Sequence, residues 1–165
     1  MFNTTIATQI YAKICFEATN SQKKIIENLS EYLSDDDFSR IFVLNGFAGT
    51  GKTTLIAALV AALKELRIKP VLLAPTGRAA KVLARYCGEQ ALTIHKRIYR
   101  QRTNADYESK FSLDFNREQG AVFIVDEASM LSDSTGDGAL FGSGSLLEDL
   151  VSYVRSGRGC RLILV

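Results

Sequence analysis

Cysteine, histidine and long apolar runs are scarce in this 165-residue chain, and each shortage excludes something. The three cysteines, Cys15, Cys87 and Cys160, lie far apart and form no CxxC pair. That spacing argues against a zinc site or a disulfide framework. It fits reduced thiols in a cytoplasmic protein, packed as small hydrophobes. The single histidine, His95, has no cysteine or acid beside it at metal-ligand spacing. No segment is apolar for long enough to span a bilayer. Met1 to Asn20 lacks the basic start and continuous apolar stretch of a signal peptide, so no membrane partner is expected. There is no internal repeat.

What is present points to a globular chain. Hydrophobic residues make up 47% and charged residues 23%, which suits one domain, 1–165, able to bury a core without staples. The net charge is +2, but Arg78 to Lys110 carries eight Lys/Arg against three acids, leaving −3 for the remainder. Such a stretch is either a solvated face or a footprint for a polyanion.

Hydrophobic periodicity orders the chain. Ile6, Ile10 and Ile14 predict a short amphipathic helix. Thr19-Asn20-Ser21-Gln22 predicts a helix start, followed by Ile25, Ile26, Leu29, Tyr32 and Leu33 at helical spacing. Buried strands are predicted at Ile41–Leu44, Val71–Ala74, Ala121–Val125 and Leu162–Val165. Helices are predicted at Lys52–Leu66, Arg78–Tyr86 (ending near Gly88) and Leu146–Val154. Residues 98–119 are polar and irregular, a candidate small insertion with a strand pair around Phe111-Ser112-Leu113. Ser132 to Ser145 holds four glycines and reads as a mobile loop. Strands alternating with helices predict an α/β fold with a mainly parallel sheet covered on both faces.

Gly46 with Gly51-Lys52-Thr53 has the spacing GxxxxGK[ST], after a predicted strand and before a predicted helix. Glycines let successive N–H groups turn inward on phosphate oxygens, and the helix N-terminus favours an anion. Lys52 can reach the β- and γ-phosphates, and the Thr53 hydroxyl can ligate magnesium. ATP and Mg2+ are therefore the expected ligands. Val122-Phe123-Ile124-Val125-Asp126-Glu127 supplies an apolar strand ending in carboxylates. Asp126 is the candidate magnesium ligand and Glu127 the candidate general base. Two acids here suit water activation, so a hydrolase is expected over a kinase.

Together these segments resemble superfamily 1 DNA helicases of the RecD-like branch. Gly46-Phe47-Ala48-Gly49-Thr50-Gly51-Lys52-Thr53-Thr54 is similar to their motif I. Ala74-Pro75-Thr76-Gly77-Arg78-Ala79-Ala80 is similar to motif Ia. Thr93-Ile94-His95 resembles their Thr-x-His motif, and Val125-Asp126-Glu127-Ala128-Ser129-Met130 resembles motif II. The resemblance runs from about Thr19 to the C-terminus and implies a RecA-like P-loop NTPase, three-layer α/β/α. It implies nucleotide contacts at Gly46, Ala48, Gly49, Thr50, Gly51, Lys52, Thr53 and Thr54, with Gln22 reading adenine. As a bare residue, Gln22 is equally a solvated helix glutamine. Single-stranded DNA is the implied partner, with other DNA repair or replication proteins beside it. Thr76 and Arg78 match positions near the strand's path; the plainer alternatives are a helix cap and a surface arginine. His95 stays open between a structural role and one on the DNA path. Lys96, Arg97, Arg100 and Arg102, with Tyr99 interleaved, extend the basic stretch. Residues 98–119 occupy the place where the family inserts a small subdomain bearing a strand-separating pin.

The family continues past the point matching Val165 with a motif III and a second motor domain bearing an arginine that contacts the γ-phosphate. Without them, nucleotide binding with slow hydrolysis and no unwinding is the expectation, as for a piece of a longer protein. The family branch moves 5′ to 3′. Two alternatives remain: a stand-alone P-loop ATPase switching a nucleic-acid or protein partner, and, more weakly, a small-molecule kinase.

Overall fold

The computed structural model describes residues 2–46, 49, 51–103, 109–131 and 141–165. Five strands form one parallel sheet in the order β1-β7-β6-β2-β3. They are β1 (Ile41–Val43), β2 (Pro70–Ala74), β3 (Ala91–Thr93), β6 (Val122–Val125) and β7 (Arg161–Leu164). All four pairings between them are parallel. The expected α/β architecture with a mainly parallel sheet is what the chain adopts.

Alternation along the strands splits the core into two layers. Leu72, Val122, Ile124 and Ile163 point to one face, which is covered by α1 (Phe2–Lys13), α2 (Asn20–Ser34), α3 (Lys52–Glu65) and α4 (Gly77–Cys87). Val71, Leu73, Phe123, Val125 and Leu162 point to the other. That face is covered by α5 (Ile94–Ile98), α6 (Leu146–Ser156) and an antiparallel hairpin of β4 (Tyr99–Thr103) and β5 (Ser109–Leu113). β6 is buried along its whole length, the reason it reads as a continuous apolar run.

The amphipathic N-terminal helix is present, with Ile6 and Ile10 buried and Ile14, just past its end, packed against the same layer. α2 opens with a capping box in which Thr19 Oγ1 accepts Gln22 N–H and Gln22 Oε1 accepts Thr19 N–H at 2.9 Å. α4 closes on Gly88 at φ +65°. The short β3 and α5 were not anticipated. The cysteine expectation needs correction: Cys160 is buried and Cys87 partly so, but Cys15 is exposed, because it follows the last turn of α1 outside the packed layer. Most of the expected mobile loop, residues 132–140, lies outside the described residues. Among the described residues no helix is long and apolar enough to cross a membrane.

Candidate nucleotide site

The C-terminal ends of β1 and β6 are separated in the sheet only by β7, so the segments that follow them converge. A cavity of about 850 Å³ opens there. Gly46, Gly49, Gly51, Lys52, Thr53 and Thr54 line one wall and Asp126 and Glu127 another. Ala48 and Thr50, expected in the same loop, lie outside the described residues.

Gly51 sits at φ +83° and caps α3 without any side-chain hydrogen bond. A left-handed residue at that turn favours glycine. With no side-chain cap on the first N–H groups, the start of α3 suits an anion. The Lys52 ammonium donates to the Gly46 carbonyl, folding the lysine back over its own loop.

β6 delivers the acids. Asp126 N–H donates to the Leu73 carbonyl at 3.0 Å, continuing the β2–β6 ladder past its last strand residue. Asp126 Oδ1 then accepts Glu127 N–H at 3.0 Å. Glu127 is in the left-handed region, φ +56° and ψ 37°, which is uncommon for a residue with a Cβ. The chain turns sharply there and enters a single 3-10 turn, Ala128–Met130. Ala128 N–H, held by the Val165 carbonyl at 2.8 Å, fixes the far side of the turn. A strained conformation held from both sides leaves the Glu127 carboxylate exposed at the cavity.

Among the described residues no group of three or more His, Cys, Asp or Glu side chains could hold a metal ion. Among the groups lining the shared cavity, the Thr53 hydroxyl and the Asp126 carboxylate are the candidate metal donors. That donor set suits magnesium, which keeps waters and takes further oxygens from substrate phosphates.

A second cavity of about 660 Å³ shares Gly46, Gly49, Gly51 and Lys52 with the first and extends to Phe16, Gln22 and Ile25. The Gln22 amide lies against the loop: a Cβ built on Gly51 would meet Gln22 Nε2 at 3.0 Å. Gln22 is thus both a cap of α2 and a wall of this cavity. Phe16, 43% exposed, lines the same wall. Nothing in the local pattern of the sequence marks it, since a single phenylalanine before a helix cap has no periodic partner.

The other expected contacts lie elsewhere. Thr76 caps α4, its hydroxyl accepting Ala79 N–H at 3.2 Å, and Arg78 is exposed in the first turn. Thr93 caps α5 in the same way, accepting Lys96 N–H at 3.2 Å. His95 packs edge-on to Phe141 with centroids 5.1 Å apart and tilted against Tyr99 at 5.6 Å. The Thr-x-His segment therefore anchors the foot of the hairpin to the second layer of the core. The structure does not bring His95 into the nucleotide cavity.

The family described as AAA domain matches residues 17–140, a stretch that includes Gln22, the Gly46–Thr54 loop, Asp126 and Glu127. The ATP-dependent RecD2 DNA helicase of Deinococcus radiodurans is 29% identical over 114 residues, which is 69% of this chain and 15% of that protein. The chain thus spans a small part of that relative's length. It belongs to the AAA domain family, and its similarity to a RecD2 helicase accords with the RecD-like resemblance of its motifs.

Proposed function

We propose that this chain is the ATP-binding and hydrolysing motor domain of a DNA helicase that translocates on single-stranded DNA, 5′ to 3′. The observation that carries the proposal is the one cavity walled by the Gly46–Thr54 loop and by Asp126 and Glu127. Lys52 leaves the Gly46 carbonyl to meet the β- and γ-phosphates. Thr53 and Asp126 would hold a magnesium ion, which would supply charge neutralisation at the phosphates. Glu127 accepts a proton from the attacking water, and its strained turn fixes the carboxylate's direction. Gln22 and Phe16, which line the cavity beyond the loop, are the proposed contacts of the base. On the DNA side, Thr76, Arg78 and the basic stretch supply cations and capped helix ends for a backbone.

Three variants test this with steady-state hydrolysis and a fluorescent nucleotide. Lys52→Ala is expected to lose hydrolysis. Glu127→Gln is expected to keep nucleotide affinity while turnover falls about 10²- to 10⁴-fold, the usual worth of a positioned base. Arg78→Ala is expected to reduce the stimulation of hydrolysis by single-stranded DNA and to leave basal turnover unchanged. Normal hydrolysis by Glu127→Gln would remove the base assignment, and hydrolysis insensitive to DNA in a version extended past Val165 would remove the helicase reading.

A further inference from the structure

Away from the nucleotide cavity, a charged groove of about 360 Å³ lies at the foot of the hairpin. Lys96 and Arg97 of α5, Arg100 of β4 and Arg117 from the β5–β6 connection line it, with Asp114 and Glu118 as its acids. Both acids are already engaged. Asp114 accepts Arg100 Nε, and Glu118 Oε1 accepts Arg97 at 2.7 Å and Lys69 at 2.8 Å. Lys96 and Arg117 form no ion pair among the described residues. The groove is therefore left with a positive excess.

The same groove presents Phe115, 65% exposed. Its exposure does not come from a loose backbone. On one side Asp114 N–H donates to the Ile98 carbonyl at 2.7 Å. On the other, buried Asn116 N–H donates to Ser156 Oγ at 3.1 Å, and its side chain accepts Glu118 N–H at 3.0 Å and donates to the Val154 carbonyl at 3.3 Å. A fixed turn thus holds an aromatic face in water in a groove where cations outnumber acids.

That combination is the chemistry of single-strand binding: a base stacks on the ring, and flanking phosphates meet the cations. We infer that this groove is a second single-stranded DNA contact, with Phe115 stacking one base and Lys96 and Arg117 holding phosphates on either side of it. It rests on the single-stranded DNA reading above and adds a site distinct from the Thr76–Arg78 turn. α5 connects the two ends, running from Thr93, paired with Ala74 at the ligand edge of the sheet, to the groove.

The chain has no tryptophan, so Phe115→Trp installs a single reporter. Saturating oligothymidylate should quench its emission roughly twofold by stacking. Phe115→Ala should weaken binding of a labelled oligothymidylate, read by anisotropy, about tenfold. Lys96→Ala with Arg117→Ala should lower the slope of log affinity against log salt by about 1.4. Oligothymidylate binding with no quenching, and unchanged by Phe115→Ala, would overturn the inference and leave the DNA reading standing. No binding at all would overturn both. Equal quenching by poly-glutamate would assign the groove to acidic protein segments and overturn it as well.

Discussion

Asp149 is a carboxylate only 5% exposed, and removing it is a direct test of how the hairpin is held. Its Oδ2 accepts the Tyr99 hydroxyl at 2.6 Å and Ser143 N–H at 3.0 Å. Tyr99 opens β4, while Asp149 lies in the first turn of α6. One oxygen therefore joins hairpin, connecting turn and helix. Burial, and then the hydrogen bond to Asp149, hold the Tyr99 phenol well above its usual range, so it stays a donor at any ordinary pH. A hydrogen bond to a charged group contributes about 1.5–3 kcal/mol. The Tyr99 bond is buried and belongs in that range, whereas the half-buried Ser143 amide can find water and contributes about 1 kcal/mol. Removing the carboxylate also relieves its own desolvation, which offsets part of the loss.

Asp149→Ala should then cost about 2–3 kcal/mol, or roughly 5–10 °C in Tm for a domain of this size. Asp149→Asn keeps an acceptor and should cost about 1 kcal/mol. Tyr99→Phe should cost about 2 kcal/mol, and the double variant should fall short of the sum by about 1–2 kcal/mol. Urea unfolding followed by circular dichroism measures all four proteins. Strict additivity of Tyr99→Phe and Asp149→Ala would refute the coupling. Gly142→Ala offers a second route to the same contact. Its Cβ would fall 1.9 Å from Asp149 Oδ2 and 2.7 Å from Tyr99 Cε1, at a backbone φ of +43°. It should therefore destabilise at least as much as Tyr99→Phe.

Two further outcomes are expected. Burial raises the Glu118 carboxyl, but hydrogen bonds and charge from Lys69 and Arg97 outweigh it and hold the pKa below the ordinary value of 4.5. A lowered folded-state pKa contributes stability that is present above that ordinary value and lost as pH falls through the folded value. The stability gap between the unaltered protein and Glu118→Gln should hence shrink as pH falls below 4.5, and a constant gap in acid unfolding curves would count against the cluster. Glu127→Gly relieves a left-handed residue at a cost of about 1 kcal/mol in unfolded-state entropy, so stability should stay level or rise by up to about 1 kcal/mol while turnover is lost. A loss above about 1 kcal/mol in thermal unfolding would mean the turn is not strained.

The nucleotide cavity was legible because its parts are local. A glycine loop between an apolar strand and an Ala/Leu-rich helix encodes its own geometry, and so does an apolar strand that ends in Asp126-Glu127. β3 was not legible. Ala91-Leu92-Thr93 is too short to show alternation, and only its pairing with Leu72 to Ala74 makes it a strand. Phe16 and Gln22 illustrate the same limit from two sides. Gln22 was a candidate because a motif supplied a position for it. Phe16 carries no signal in the sequence because its meaning lies in a wall shared with Gly51, thirty-odd residues along the chain.

His95 shows why the DNA side was harder to read than the nucleotide side. Its partners are Tyr99 on β4 and Phe141, which also stacks on Phe111 of β5 with centroids 4.6 Å apart. These four rings come from three separate segments, and no spacing in the sequence announces that they meet. Once they do, the histidine packs where α5 passes into the hairpin, and the basic residues that follow it take up the geometry of the hairpin's foot. Lys96 and Arg97 are then placed on the same groove as Arg117, twenty residues later, although charge counting could only treat them as a run. A polyanion footprint depends on which cations share a surface and which are already paired. Among the described residues Arg97 and Arg100 form ion pairs and Lys96 and Arg117 form none, a distinction that only tertiary contacts create.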